Sequence, residues 1–168
     1  MRREFPEADF AARHSALGTP AVERMTERFE IAAGAEQPHI FEGQQIVFMR
    51  TVGKLPDIFM KGEWRAIKVL NIVHENGYQS NYTPDYISAI KSGLLSRIEG
   101  ADEHRARVIK AILDLAERYR KHAEEIGRQD VAEVLAQVPA KPARTLREAL
   151  QFFRILHYSL WLEGDYHN

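Results

Sequence analysis

The pattern of apolar and polar positions along the chain is predominantly helical. Apolar side chains recur every three or four residues between 102 and 127, which places them on one face of a long α-helix. Segments 20–33, 64–77, 84–95 and 130–138 follow the same spacing over shorter lengths. The predicted fold class is therefore mainly α, with at most one or two short strands and with the 168 residues forming a single helical region.

Several boundaries of these helices are indicated by their residue types. Thr19 is placed to cap a short surface helix that Gly34 ends, and Thr83 is placed to cap the helix that follows it. Residues 45–49 are a β-prone run that is predicted as a short strand. Residues 1–18 are expected to form a poorly ordered N-terminus.

The last helix has a well-specified start and apolar residues all round. Thr145 and Glu148 form a capping box, in which the Thr hydroxyl accepts from the backbone N–H of Glu148 and the carboxylate reaches back to Thr145. Because both sides of the helix are apolar, both sides must be covered by protein. We therefore expect a larger protein to supply a surface that these residues lack. One side carries Leu146, Ala149, Leu150, Phe153, Leu156 and Leu160, and the opposite side carries Phe152, Ile155, Tyr158 and Trp161.

Composition narrows the classes of function. The sequence contains no cysteine, which excludes disulfides, thiolate metal sites and a cysteine nucleophile within it. A formal net charge of −1, with no basic and aromatic cluster, predicts no nucleic-acid partner. No apolar run approaches the roughly 20 residues that span a bilayer, and the first residues lack the apolar core of an export signal. A cytoplasmic protein without a membrane partner is the expectation.

Local groups of metal-ligating residues give a weak signal. Of the seven histidines, only His157 and His167 lie near acidic residues in sufficient number, namely Glu163 and Asp165. Their spacing does not match a helical H-E-x-x-H pair, so no metal site is predicted. His157 is expected to be a hydrogen-bonded core histidine. Phosphate-binding glycine loops and the G-x-S-x-G elbow are also absent from the sequence.

Four segments of the sequence carry a family resemblance. The most specific is the A-R-T-x-x-E-A-L-Q core at residues 143–151, and the others are residues 41–47, the P-D-Y and G-L segment at 83–94, and the A-E-R-Y segment at 116–119. In this order they resemble the N-terminal region of glycyl radical enzymes of the pyruvate formate-lyase family, in which residues 41–47 would match a short strand and residues 143–151 the end of the helical region. The resemblance implies the N-terminal helical region of the family's α/β barrel fold.

The resemblance also implies a chemistry that this chain cannot perform alone. Family members cleave C–C or C–X bonds of small metabolites by radical steps, as anaerobic lyases, dehydratases or the formate acetyltransferase, a transferase acting on pyruvate and coenzyme A. They use a thiyl cysteine and a glycyl radical in an R-V-x-G-Y context, and this sequence has neither. No catalytic residue and no bound cofactor are therefore assigned to the chain.

The implied partners belong to the complete enzyme. They are the C-terminal barrel of the same protein, the small-molecule substrate, and a second subunit of a homodimer. A separate activating enzyme that uses S-adenosylmethionine and an iron–sulfur cluster would install the radical.

The end of the sequence supplies candidate substrate-binding residues. In several dehydratase members an E-S-N-G-H sequence stands here, and its histidine lines the substrate pocket. Glu163 and His167 match that spacing, so the resemblance assigns His167 to the substrate pocket, with Asp165 as a neighbour. The intervening residues differ from the family pattern and leave the substrate open. A structural or exposed position for His167 remains the alternative.

A second hypothesis comes from a different class of function. The same residues could form a stand-alone helical interaction protein that binds a partner through the apolar face of its last helix. A large exposed apolar patch favours association.

Overall fold

The computed structural model describes residues 3–69 and 84–163 and is mainly helical. Within these residues there is no β-sheet, and strand-type pairing is limited to one isolated bridge between Arg3 and Val52. The prediction of a mainly α fold is confirmed. The helices are α1 (Phe10–Leu17), α2 (Ala21–Ala35), α3 (Lys61–Val69), α4 (Tyr86–Ser92), α5 (Glu103–Glu125), α6 (Gln129–Gln137) and α7 (Leu146–Glu163), with a single 3-10 turn at Leu95–Arg97.

The main core lies among α2, α5, α6 and α7. Helices α5 and α7 each pack against the other three, and the most extensive packing is that of α5 against α2 and α6. The predicted periodicity of α5 is confirmed over most of its length, although Ile126 at its end is exposed. Its buried residues are Ile112, Leu115, Ala116, Tyr119 and Ala123.

Aspartate carboxylates cap the starts of helices α4 and α5. The Asp102 side chain accepts from the backbone N–H of Arg105 at 2.9 Å at the start of α5. At the start of α4 the Asp85 side chain accepts from Ser88 at 3.0 Å, so Asp85 is the N-cap. Thr83, which was predicted for that role, lies outside the described residues.

Helix α2 differs from the prediction in its ends and in its position. Pro20 is its N-cap residue and no side chain caps it, so the prediction for Thr19 is wrong. Gly34 lies within the helix rather than after it. The helix is also not a surface element, because Phe29 and Ala32 are buried in the main core.

The N-terminal residues, which were expected to be poorly ordered, contain helix α1. Phe10 and His14 of this helix are buried, and Phe10 packs with Ile58 and Trp64 in a second, smaller apolar cluster. The residues of this cluster lie far apart in sequence, so no local sequence pattern predicts the cluster. The described part of α3 begins at Lys61, three residues before the predicted start at 64, and residues 70–83 lie outside the described part of the chain.

Residues 45–49, predicted as a strand, form a loop. Their backbone groups bond to side chains of α5 and α7 rather than to a neighbouring strand. Among the described residues no helix has the length and apolar character needed to cross a membrane.

Candidate functional site

The two predicted substrate-binding residues, Asp165 and His167, lie outside the described residues. Their assignment therefore stays a prediction. The structure instead describes the region in which the resembling segments meet, around the first half of α7.

Gln151 joins two of those segments. It belongs to the A-R-T-x-x-E-A-L-Q core, and its side chain is fully buried. Its amide oxygen accepts from the backbone N–H of Val47 at 2.8 Å, and its amide nitrogen donates to the Val47 carbonyl at 3.3 Å. This paired contact replaces the strand partner that Val47 lacks, and it links segments 104 positions apart.

Phe48, the next residue, has a strained backbone that the helices hold in place. Its φ of 88° lies in the left-handed region that a bulky side chain rarely adopts. The Arg154 guanidinium donates to the Phe48 carbonyl at 2.7 and 3.0 Å. The Phe48 ring stacks on Tyr119 with centroids 4.2 Å apart and meets Tyr158 edge-on. Helices α5 and α7 thus determine the path of this loop together.

Buried polar groups of α2 and α5 complete the loop's hydrogen bonds. The Tyr119 hydroxyl accepts from the Met49 backbone N–H at 3.1 Å, and burial raises the pKa of this tyrosine. The buried Glu36 carboxylate accepts from the backbone of Thr51 at 2.6 Å and of Val52 at 3.2 Å. Arg118 of α5 donates to backbone carbonyls at the end of α2, including that of Glu36 at 2.5 Å.

The predicted capping box of α7 is confirmed. The Glu148 backbone N–H donates to the Thr145 hydroxyl at 3.2 Å, and the Glu148 carboxylate accepts from the Thr145 backbone N–H at 3.2 Å. The carboxylate also accepts from the backbone N–H and from the guanidinium of Arg144, at 2.6 and 2.7 Å. The Arg144 guanidinium, together with these N–H donors, lowers the pKa of Glu148 against the opposing effect of its burial.

A third resembling segment, residues 84–94 in the described part of the chain, packs against the connector that leads into α7. Gly93 has a φ of 76°, and a Cβ there would lie 2.6 Å from the Ala140 carbonyl and 2.7 Å from Lys141. Only glycine fits this contact. The Leu94 backbone N–H donates to the Pro139 carbonyl at 2.8 Å, and Ala143 donates to Ile90 at 3.0 Å. The P-D-Y and G-L segment is thereby fixed against the connector that leads into α7.

The two sides of α7 have different surroundings. Its inner side is buried in the main core. Along its outer side, Leu146, Leu150 and Phe153 are 76%, 48% and 42% exposed. The outer side is therefore the part of the all-round apolar helix that the described residues leave uncovered. The inner side comprises Glu148, Gln151, Phe152, Ile155, Tyr158 and Leu162.

Helix α4 extends the exposed side of α7. The Tyr86 ring lies 4.7 Å from the Phe153 ring, and Ile87 beside it is 69% exposed. We call Ile87, Leu146, Leu150 and Phe153 the outer stripe. His157 stacks on Phe153 at 5.8 Å, half-buried rather than in the core, and burial followed by the charge of Arg154 lowers its pKa.

The chemistry of this region is packing and positioning. Among residues 3–69 and 84–163, no group of three or more histidine, aspartate or glutamate side chains is arranged to hold a metal ion. The polar side chains around the loop bond mainly to backbone groups, which fixes the path of the loop.

Several of these residues were not anticipated from the sequence. Gln151 and Arg154 are polar positions three apart that flank the apolar pair Phe152 and Phe153, and that interruption was an available signal. Glu36 and Tyr119 carried no such signal, because their partners lie 15 and 70 residues away.

Comparison with known protein families agrees with the resemblance. Comparison with curated proteins and with solved structures found no match. A family model described as pyruvate formate lyase-like matches residues 40–168, which include the loop, α4 to α7 and the junction between them. Because this match covers well over half of the chain, the protein belongs to the pyruvate formate lyase-like family.

Proposed function

We propose that this chain is the N-terminal helical region of a glycyl radical enzyme that cleaves a C–C or C–X bond of a small metabolite. The observation that carries the proposal is the family match over residues 40–168, which includes the junction of three family-like segments around Val47, Gly93 and Gln151. A junction built from distant segments supports a structural task for these helices within a larger enzyme.

The radical chemistry itself belongs to residues outside this sequence. A thiyl radical requires a cysteine, and the sequence has none. We propose that the C-terminal barrel of the enzyme carries the cysteine and the radical glycine, and that an S-adenosylmethionine-dependent activating enzyme installs the radical. The helices described here would cover one side of the barrel and help to exclude water and oxygen from it. The complete enzyme would be a homodimer of the cytoplasm, working under anaerobic conditions.

His167 and Asp165 are proposed to line one side of the substrate pocket. In the complete enzyme, His167→Ala should lower kcat/KM without lowering the melting temperature. His122→Ala, a change at a half-buried histidine on α5, controls for the loss of an imidazole. Unchanged kinetics for His167→Ala would remove His167 from the pocket and leave the family assignment intact.

Electron paramagnetic resonance tests the proposed chemistry. The complete reading frame that contains these residues is expressed without oxygen, treated with its activating enzyme and frozen. We expect the doublet of a glycyl radical from the complete protein and no signal from residues 1–168 treated in the same way. A reading frame with neither a cysteine nor an R-V-x-G-Y sequence, and no doublet, would contradict the proposal.

A stand-alone interaction protein is the second candidate, favoured by two observations. The described residues form one continuous core across α2, α5, α6 and α7, and the outer stripe is exposed beside it. For this candidate the chain alone should be monomeric and should unfold in one cooperative transition. The reading frame should then end at Asn168.

A further inference from the structure

The outer stripe combines two adjacent helices into one apolar surface. Leu146, Leu150 and Phe153 follow each other at the four- and three-residue spacing of a single helix face. Tyr86 packs against Phe153, and α4 lies along α7, so Ile87 extends the surface sideways. Apolar residues grouped in this way mark an interaction site more often than scattered ones do.

Cations without carboxylate partners lie beside this surface. Lys91 is exposed and lies one helical turn after Ile87 on α4. Gly93, two residues after Lys91, packs against the backbone of Lys141. Arg97 donates to the Ser88 hydroxyl at 2.5 Å. Lys91, Lys141 and Arg97 make no ion pair with any described carboxylate.

The neighbouring charges leave this surface basic. Arg144 pairs with Glu148, yet its side chain is 65% exposed and stays accessible to a second carboxylate. Besides Glu148, the described carboxylates on α4 and next to the 3-10 turn include Asp85, which already accepts from Ser88, and the exposed Glu99. Among the groups that the structure describes here, positive charges therefore outnumber negative ones around the outer stripe.

This charge distinguishes among possible occupants of the stripe. In a two-fold dimer the same patch of both copies would meet, so the cations around each stripe would face the cations around the other. Like charges brought together at an interface oppose association, whereas carboxylates on a partner would favour it. The complementary surface is therefore both apolar and acidic.

We propose that the outer stripe docks an amphipathic polypeptide segment whose apolar face covers Leu150 and Phe153 and whose carboxylates pair with Lys91 and Lys141. The inference rests on the proposed function in one respect. If the chain is part of a glycyl radical enzyme, the docked segment belongs to the same complete enzyme. Apolar contact supplies the attraction, and the charges select the partner and its orientation.

A synthetic probe tests the chemistry of this surface without knowledge of the natural segment. The probe is a fluorescently labelled amphipathic helical peptide with leucines on one face and glutamates along both flanks. A second peptide has lysines in place of the glutamates. Fluorescence anisotropy of each peptide is measured against the chain at low salt and at about 1 M salt, where the screening length falls to about 3 Å.

Matched variants separate the apolar and the electrostatic parts. We expect the acidic peptide to bind at least about tenfold more tightly than the basic one, with a preference that shrinks in high salt. Phe153→Ser should weaken both peptides. The double variant Lys91→Glu/Lys141→Glu should reverse the preference, whereas Lys54→Glu/Lys110→Glu, which makes the same charge change at exposed positions elsewhere, should preserve it.

The remaining outcomes overturn the inference. Equal binding of the two peptides would show that charge does not select the occupant. Self-association of the chain that Phe153→Ser abolishes would identify a second copy as the occupant. Binding of neither peptide would show that the stripe accepts no such segment. Circular dichroism of each variant establishes that it is folded, and the glycyl radical measurement tests the proposed function independently of all these results.

Discussion

Two consecutive phenylalanines on α7 have opposite environments. Phe152 is completely buried in the main core, whereas Phe153, rotated to the outer side of the same helix, is 42% exposed. The inner side also carries the buried polar residues Glu148 and Gln151, each with hydrogen-bond partners on other residues. The outer stripe consists of apolar side chains, which form no hydrogen bonds.

The inner side of α7 stabilises the fold of the chain, whereas the outer stripe is accessible to another polypeptide. A mixture of apolar contacts and satisfied polar groups specifies one packing arrangement for the inner side. A partly exposed apolar side adds less to the stability of the isolated chain than a buried one, since its side chains remain partly in contact with water. The hydrophobicity of α7 therefore serves two purposes that hydropathy alone does not distinguish.

The largest effect is expected from shortening a buried aliphatic side chain on the inner side. Ile155 is fully buried, so Ile155→Ala should lower the free energy of unfolding by about 2–5 kcal/mol. Leu146→Ala, at the most exposed position of the outer stripe, should change it by less than about 0.5 kcal/mol. Urea denaturation of the two variants checks this contrast. A loss at Leu146 as large as that at Ile155 would eliminate the difference between the two sides.

A smaller effect is expected from breaking the link between α7 and the loop. Gln151→Leu removes both hydrogen bonds to Val47 and leaves its buried N–H without a partner, which should cost about 1–3 kcal/mol. Gln45→Leu, the same change at an exposed glutamine in the loop, should be nearly neutral. Hydrogen exchange of the Val47 amide should become faster only in Gln151→Leu, and equal exchange in both variants would contradict this role.

The smallest expected effect depends on pH. The folded state lowers the pKa of Glu148, so the carboxylate contributes stability above the ordinary glutamate pKa of about 4.3. That contribution should disappear as the pH falls from there through the lowered pKa of the folded state. Denaturation of the parent and of Glu148→Gln between pH 7 and pH 3 should give a stability difference that narrows at low pH. Glu133→Gln controls for the loss of one exposed charge on α6.

The sequence was sufficient to predict the later helices. Periodic segments indicated α5 and α6, and the capping box at Thr145, which indicated the start of α7, was correct in both its bonds. These features depend on residues within a few positions of one another, so they are visible without a structure.

The features that the sequence did not reveal depend on distant partners. Helix α2 looked like a surface helix because its buried positions include Arg24, which donates to Glu63 and to the Ile58 carbonyl. A buried arginine is indistinguishable from an exposed one until its partner is known. Residues 45–49 looked like a strand because β-prone residues also suit an extended loop that side chains hold. For Asp165 and His167 the prediction stands without a structural description.

The most direct test compares the unfolding free energies of Phe152→Ala and Phe153→Ala. The two changes remove the same side chain from neighbouring residues, so helix propensity and composition are matched. If the inner side folds the chain and the outer stripe serves an interaction, Phe152→Ala should lose about 3–5 kcal/mol. Phe153→Ala should lose about 1–2 kcal/mol, because Phe153 is 42% exposed and packs against Tyr86 and His157 at the surface. Equal losses at the two positions would contradict the account, because Phe153 would then be part of the core.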